Sequence, residues 1–170
     1  PNKLQYRAHR STAKTILFCG ANRSGKSTHG AAEIAMAVTR QYPKWFPKER
    51  RFTKPVKCVI SATEFPIVTR VIEPKLMSLI PKNYIKNIKR GGMGYMSRIE
   101  LIDGSTIDIL TSEMKNEAYE SADWDIAWLD EPQSQRKYSA IRRGLVDREG
   151  ICLITFTPLT EPWMKEDLVD

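Results

Sequence analysis

The residues best suited to chemistry in this 170-residue chain lie at positions 20–27, which read Gly-Ala-Asn-Arg-Ser-Gly-Lys-Ser. They fit the pattern G-x-x-x-x-G-K-[ST], whose glycines let successive backbone N–H groups face a phosphate chain. In such a loop we expect Lys26 to contact the β- and γ-phosphates of ATP and Ser27 to bind Mg²⁺. The predicted phosphate-binding residues are Gly20, Ala21, Asn22, Arg23, Ser24, Gly25, Lys26, Ser27 and Thr28.

The flanking sequence supports a phosphate-binding loop over an accidental glycine turn. Residues 15–19 form a short apolar run typical of a buried parallel strand. Residues 27–40 hold no glycine or proline after Gly30 and predict a helix. The start of that helix adds the positive end of its dipole to the phosphate site.

A second group of chemically suited residues ends the stretch 124–131, which reads Trp-Asp-Ile-Ala-Trp-Leu-Asp-Glu. An apolar strand followed by two carboxylates is a Walker B pattern. We expect Asp130 to hold Mg²⁺ and Glu131 to orient and deprotonate the attacking water. The alternative is that the pair only begins an exposed loop.

The elements that must position these residues alternate between strands and helices. This alternation predicts an α/β fold with a mostly parallel sheet flanked by helices. The predicted strands are 15–19, 57–62, 125–129 and 151–156; the helices are 27–40, 63–80 and 134–146; a hairpin joins 98–102 to 105–110. We expect strand 151–156 to lie between strands 15–19 and 125–129, since only that order brings Thr157, Lys26 and Glu131 to one crevice.

Thr155 and Thr157 lie at the tip of the last predicted strand. A hydroxyl there could hydrogen-bond the γ-phosphate or its water and report on its presence. The alternative is that both residues are only a strand end.

The net charge of +7 is unevenly distributed. Residues 1–100 hold 20 Lys or Arg against 5 Asp or Glu, whereas residues 101–170 hold 7 against 15. The basic clusters at 40–57 and 82–90 could follow a phosphate backbone or form a solvated face. No apolar run is long enough to span a bilayer and no signal segment is apparent, so we expect a cytoplasmic protein with no membrane partner.

The other residues with potential chemistry carry weaker predictions. Cys19, Cys58 and Cys152 each fall in a predicted buried strand and are expected to be reduced core thiols. His9 and His29 show no cysteine or carboxylate partner at ligand spacing and are interpreted as ordinary polar residues.

With these residues in place, the chain resembles the ATPase domain of the tailed-bacteriophage terminase large subunit, the motor that packages DNA into proheads. The similar stretches are residues 5–9, 21–27, 118–132, 143–150 and 155–158, with Trp163. The resemblance implies a P-loop fold of the additional-strand catalytic-glutamate type over residues 1–170. It implies Gln5 near the adenine, Arg23 in γ-phosphate sensing or transition-state stabilisation, and Thr155 and Thr157 in coupling hydrolysis to movement.

The same resemblance implies partners and a location. They are double-stranded DNA, a homo-oligomeric ring on a prohead portal, a small terminase subunit and the host cytoplasm. Candidates for an arginine finger offered to a neighbouring subunit are Arg98, Arg142, Arg143 and Arg148, each of which could equally be a surface cation. Because such proteins continue into a lid and a nuclease, we expect the chain to be a fragment without nuclease activity.

Two other functions stay open from the sequence. A helicase-like ATPase would be expected to carry helicase motifs after the Walker B stretch, where this chain has Thr-Phe-Thr-Pro at 155–158. A nucleotide-dependent switch or scaffold would bind ATP without turnover, and Glu131 argues against it.

Overall fold

The computed structural model describes residues 1–120, 123–131 and 133–157, which build a seven-stranded sheet flanked by helices. Ser121, Ala122, Pro132, Pro158 and Trp163, which belong to the stretches discussed above, lie outside the described residues. The strands are β1 Thr15–Cys19, β2 Lys57–Ala62, β3 Ile85–Arg90, β4 Met96–Leu101, β5 Thr106–Thr111, β6 Ile126–Asp130 and β7 Ile151–Phe156.

The sheet order is β1-β7-β6-β2-β5-β4-β3. The pairs β1–β7, β7–β6, β6–β2 and β2–β5 are parallel, and β5–β4 and β4–β3 are antiparallel. The prediction that the last strand lies between the two motif-bearing strands is confirmed. In this register Asp130 of β6 is the direct neighbour of Thr155 of β7, so the residues at the carboxyl ends of these strands share one crevice.

The helices cover both faces of the sheet. They are α1 Lys3–His9, α2 Lys26–Thr39, α3 Phe65–Ile67, α4 Glu73–Leu79, α5 Glu117–Glu120 and α6 Gln135–Val146. Short 3₁₀ turns occupy Lys48–Arg50 and Lys82–Tyr84, and a π turn, Val68–Ile72, joins α3 to α4.

Two hydrophobic cores follow from the alternation of side chains along the central strands. Ile60 of β2 and Trp128 of β6 belong to the first core, which packs against α2 and α4. Val59 and Leu129, one residue away, belong to the second core, which packs against α6. The strands at the centre of the sheet are therefore buried on both faces, as the apolar runs predicted.

The antiparallel part of the sheet is larger than predicted. The turn at Asp103 and Gly104 was expected and is present, with Gly104 at φ 92°. The hairpin does not stand apart, since β5 pairs with β2 and continues the main sheet. The basic stretch 82–90, interpreted only as a charged cluster, forms strand β3 at the sheet edge.

The helical region after β2 also differs from the prediction. The single helix predicted over 63–80 is divided into α3, the π turn and α4, and the N-cap of α3 is Glu64, without a side-chain cap bond. The Glu73 N–H donates to the carbonyl of Val68, five residues earlier, which makes the turn before Pro74 a π turn.

Cys58 and Cys152 are buried as expected, and burial raises the pKa of the Cys152 thiol to about 12. Cys19 is exposed, contrary to the prediction. The physical reason is that β1 is an edge strand and Cys19 is its last residue.

Candidate active site

The loop between β1 and α2 borders a cavity of about 350 Å³. The residues lining it are Asn22, Arg23, Ser24, Gly25, Lys26, Ser27, Thr28, Thr63, Ile67, Val71, Lys75, Asp130 and Glu131. Gly25 adopts φ 91°, and a Cβ atom there would lie 2.6 Å from Nε2 of Gln5. The left-handed backbone conformation therefore favours glycine at this position, and any larger residue would also displace the end of the Gln5 side chain.

Lys26 is the first residue of α2, and its side chain turns back over the loop. Its Nζ donates to the carbonyl oxygens of Gly20 at 2.7 Å and Ala21 at 3.1 Å, and to Thr157 Oγ1 at 3.0 Å. The ammonium group also lies 4.0 Å from Glu131 Oε1. The predicted phosphate-binding cation thus joins the loop, the end of β7 and the predicted general base.

Asp130 ends β6 beside the start of α2. Ser27 Oγ lies 3.1 Å from Asp130 Oδ1 and 3.2 Å from Oδ2, and Thr155 Oγ1 donates to Oδ1 at 2.8 Å. Burial raises the pKa of the Asp130 carboxyl and the neighbouring Glu131 acts in the same direction, whereas the hydrogen bonds from Thr155 and Ser27 oppose the shift. A hydroxyl and a carboxylate in contact are hard oxygen donors, the ligand type that Mg²⁺ prefers, so these two residues fit the ion.

Glu131 follows directly and adopts the left-handed conformation, with φ 66°. Non-glycine residues are uncommon there, and those that occur concentrate at functional sites. The Glu131 N–H donates to the Thr155 carbonyl at 2.8 Å. Its carboxylate accepts from Thr157, from the backbone N–H at 3.1 Å and from the hydroxyl at 3.0 Å. The end of β7 therefore fixes the direction of the Glu131 side chain.

Thr155 has no exposed surface and lies at the centre of a hydrogen-bonded chain. The indole Nε1 of Trp128 donates to Thr155 Oγ1 at 2.9 Å, and that hydroxyl donates to Asp130. Thr155 contacts Asp130 and Thr157 contacts Glu131, whereas a hydrogen bond from either hydroxyl to the γ-phosphate or its water stays a prediction. Their role in coupling stays a prediction.

Gln5 lies on α1, next to the phosphate loop. Its Nε2 donates to the Gly25 carbonyl at 2.9 Å and its Oε1 accepts from the Asn2 N–H at 2.8 Å. Asn2 also reaches the loop, since its Nδ2 donates to the Ser24 carbonyl at 3.2 Å. Helix α1 therefore supports the loop, while contact between Gln5 and adenine stays a prediction.

His9 has a carboxylate partner that the sequence interpretation missed, and His29 belongs to the same buried cluster. Glu33 Oε1 lies 2.6 Å from His9 Nδ1, and His9 Nε2 lies 3.2 Å from His29 Nδ1. The guanidinium of Arg50 donates to Glu33 Oε2 at 2.7 Å, and all four side chains are buried. Glu33 follows His29 by four residues on α2, a spacing that was a usable signal. The cluster ties α1 to α2, and Arg50 neutralises its carboxylate.

A polar network also supports the backbone of Glu131. Gln133 is buried, and its Nε2 donates to the Glu131 carbonyl at 3.3 Å while its Oε1 accepts from the Ser112 hydroxyl. Lys137 donates to the Ser112 carbonyl, and its Nζ lies 5.2 Å from the centre of the Tyr119 ring. Burial lowers the pKa of Lys137. No spacing in the sequence indicated this network.

Arg23, the predicted γ-phosphate residue, lies on the exposed side of the loop at φ 63° and lines the cavity. Two of the predicted arginine-finger residues form ion pairs. Arg98 donates to Asp108 at 2.9 Å, and Arg148 donates to Asp125 at 3.0 Å.

The other two candidates lie on α6. Arg142 donates to the Tyr138 hydroxyl at 3.0 Å, and Arg143 is exposed. Of the described residues that line the cavity, none is one of the four arginines. A function in a neighbouring subunit stays a prediction for each of them.

A comparison with protein families provides the family of this chain. The model described as terminase large subunit, T4likevirus-type, N-terminal, matches residues 17–170. The chain belongs to this terminase family. A comparison with curated protein sequences gives no significant match.

Solved structures agree with the fold of this terminase domain. The large terminase of a thermophilic bacteriophage aligns with a TM-score of 0.69 and 13% identity, over 99% of this chain and 42% of that one. Its complex with ATP-gamma-S aligns with a TM-score of 0.68 and 13% identity, over 99% of this chain and 41% of that one. Its complex with ADP aligns with a TM-score of 0.62 and 14% identity, over 99% of this chain and 42% of that one. The terminase chain described here thus spans about two fifths of the length of these relatives.

In the described part of the terminase chain, no helix combines the length and the apolar character needed to cross a lipid bilayer.

Proposed function

We propose that this terminase domain hydrolyses ATP with Mg²⁺ and that hydrolysis drives double-stranded DNA into a viral prohead. The observation that carries the proposal is the convergence of Lys26, Asp130 and Glu131 on one cavity. Lys26 lies 4.0 Å from Glu131, and Asp130 is in contact with Ser27. The large terminase of the thermophilic bacteriophage has been solved with ATP-gamma-S and with ADP, which supports ATP as the nucleotide.

Each residue has a distinct task in this proposal. Ser27 and Asp130 hold Mg²⁺, which offsets the negative charge of the phosphates when it is bound. Lys26 binds the β- and γ-phosphates, and Arg23 adds a second positive charge from the same loop. Glu131 orients the attacking water and accepts its proton.

Thr155 and Thr157 are the proposed coupling residues. Thr155 contacts the Mg²⁺-binding residue, and Thr157 contacts both Lys26 and Glu131. A change at the γ-phosphate therefore reaches the end of β7 through direct hydrogen bonds. Movement of that strand end is the proposed link between hydrolysis and the displacement of DNA.

The proposed DNA contacts are the exposed edge strand β3 and the exposed lysines of the first basic cluster. Lys86 and Lys89 are exposed on this edge strand. In the 40–57 cluster Arg50 is buried and Arg51 donates to three backbone carbonyls, so the exposed cations there are lysines: Lys44, Lys48, Lys54 and Lys57. Contacts from β3 to phosphates would be independent of DNA sequence and would weaken steeply with salt.

Assembly completes the proposed motor. A homo-oligomeric ring on the prohead portal, a small terminase subunit and the host cytoplasm are its proposed partners and location. An arginine from a neighbouring subunit raises the rate of phosphoryl transfer by about 10³ to 10⁵ in related nucleotide hydrolases. We therefore expect slow turnover by the isolated domain and faster turnover when protein concentration or DNA promotes assembly.

Phosphate release from Mg-ATP tests the proposal directly. Glu131→Gln should retain ATP binding and lose hydrolysis by about 10² to 10⁴-fold, because an amide cannot accept the proton of water. Glu117→Gln, an exposed carboxylate away from the cavity, is the matched control and should behave like the parent protein. Equal hydrolysis by Glu131→Gln and the parent would contradict this role. ATP binding without turnover by the parent would favour a switch.

A further inference from the structure

Lys75 is a cation in the nucleotide cavity that neither sequence motif includes. It lies on α4 and lines the cavity together with Lys26, Asp130 and Glu131. Its Nζ donates to the hydroxyl of Thr28, the residue after the Mg²⁺-binding serine, at 3.0 Å.

The charge of Lys75 has no carboxylate partner among residues 1–120, 123–131 and 133–157. Neutral Thr28 is its hydrogen-bond partner there. Glu73, two residues earlier, pairs with Arg90 at 2.6 Å and not with Lys75. A lysine ammonium has three donors, so two of them remain available for an anion.

The fold holds Lys75 towards the cavity. Leu76, the next residue, is fully buried in the first core and fixes the rotation of α4. Ile67, Val71 and Lys75, each four residues apart, all line the cavity. A purely α-helical path turns about 100° per residue and would carry Lys75 about 80° around the axis from Ile67. The π turn at Val68–Ile72 is wider and rotates less per residue, which reduces this rotation. The three side chains therefore stay on the same side of the helical segment.

We propose that Lys75 binds the triphosphate, as a third cation beside Lys26 and Arg23, supplied by the same chain from α4. This proposal rests on the proposed function, because it assigns a further substrate contact within that site. Lys75 and Lys26 then hold the anionic phosphate oxygens between α4 and α2. An ammonium group is suited to this role because it acts as a point charge and needs no fixed hydrogen-bond fork.

The experiment measures the dissociation constant of Mg-ATP-gamma-S, which requires no hydrolysis. Lys75→Met removes the charge and keeps the apolar stem, and Lys75→Gln is a second neutral variant. Both should weaken binding about tenfold or more, the effect of losing one hydrogen bond to a charged group. Lys75→Arg retains the cation and should keep most of the affinity. Arg70→Met is the matched control, because Arg70 is exposed on the same helical segment and does not line the cavity.

Two results would overturn the proposal. One is unchanged affinity in both neutral variants. The other is a loss of affinity in Lys75→Arg as large as in the neutral variants, because the shape of the side chain and not its charge would then explain the loss. Thermal unfolding of each variant verifies that the fold is intact. A parent protein that binds ATP-gamma-S but releases no phosphate from ATP would contradict the proposed ATPase activity, while the affinity comparison would still test Lys75.

Discussion

Gly30 of α2 lies so close to Trp128 of β6 that a Cβ atom at residue 30 would be 2.1 Å from the indole ring. The same indole donates to Thr155, whose hydroxyl donates to Asp130. The contact therefore sets the distance between the helix that begins with Lys26 and the strand that ends with Asp130. The lack of a side chain at Gly30 therefore determines how closely α2, which carries Lys26, approaches β6, which carries Asp130.

We expect Gly30→Ala to destabilise the protein by about 1–3 kcal/mol or more, because the added methyl group overpacks the interface with Trp128. Alanine normally stabilises a helix by about 1 kcal/mol relative to glycine, so a net loss would isolate the steric effect. Urea unfolding of the parent and the variant measures the free energy of unfolding of each. Gly92→Ala is the control, since a Cβ there would meet nothing within 4 Å. A Gly30→Ala protein as stable as the parent would refute this account.

Thr155→Val should lower the free energy of unfolding by about 1–3 kcal/mol, because it leaves the buried Trp128 N–H without its acceptor. It also removes the donor to Asp130 and should weaken Mg²⁺-dependent nucleotide binding. Thr155→Ser keeps the hydroxyl and serves as the comparison. Chemical unfolding and a Mg²⁺ titration measure the two effects. If valine and serine variants behave alike, the hydroxyl is not what matters.

Lys26→Ala should abolish nucleotide binding, because it removes the positive charge that offsets the β- and γ-phosphates. Calorimetry with ATP-gamma-S measures the loss. Lys14→Ala removes an exposed lysine whose Nζ contacts the Glu149 carbonyl, and should leave affinity unchanged. Binding that survives in Lys26→Ala would show that the loop backbone is sufficient.

His29 provides a prediction for the pH dependence of stability. Burial, followed by the electrostatic effects of His9 and Arg50, lowers its pKa to about 3 from 6.5, and Glu33 is the acidic member of the same cluster. The unfolded chain therefore takes up a proton near pH 6.5 that the folded protein does not accept. This contribution to stability is complete above pH 6.5 and is lost as the pH falls towards 3.

Between pH 8 and pH 5.5 the loss from His29 should be about 1.4 kcal/mol. Chemical unfolding at pH 8 and pH 5.5 is measured for the parent and for His29→Gln. The difference between the two proteins isolates the contribution of His29 from that of carboxylates elsewhere. The variant should be less stable at pH 8 and should show a shallower pH dependence. Parallel pH profiles for the two proteins would contradict the assignment.

The convergence of Lys26, Asp130 and Glu131 on one cavity could be predicted from sequence because each motif is local and follows an apolar strand. The order of the strands could also be predicted from the sequence, since only one order places Lys26 and Glu131 at the same crevice. Strand β3 was not predicted because Ile85 and Ile88 are its residues packed against the core and its other four residues are polar or charged.

Other parts of the site depend on contacts between distant segments. Lys75 reaches the cavity through a π turn, which hydrophobic spacing does not reveal. Gln133 meets Ser112 across 21 residues of sequence, and no local rule connects them. The cluster that contains His29 and Glu33 was different, because the four-residue spacing between these two residues of α2 is visible in the sequence.

The three donors of the Lys26 ammonium group already have three acceptors: the carbonyls of Gly20 and Ala21 and the hydroxyl of Thr157. A phosphate that recruits this ammonium must exchange with one of them. Where the exchanged partner is Thr157, nucleotide affinity and the position of the β7 end become thermodynamically linked. Such linkage is reciprocal: a force that shifts the end of β7 changes the affinity for nucleotide by the same free energy with which nucleotide shifts the strand.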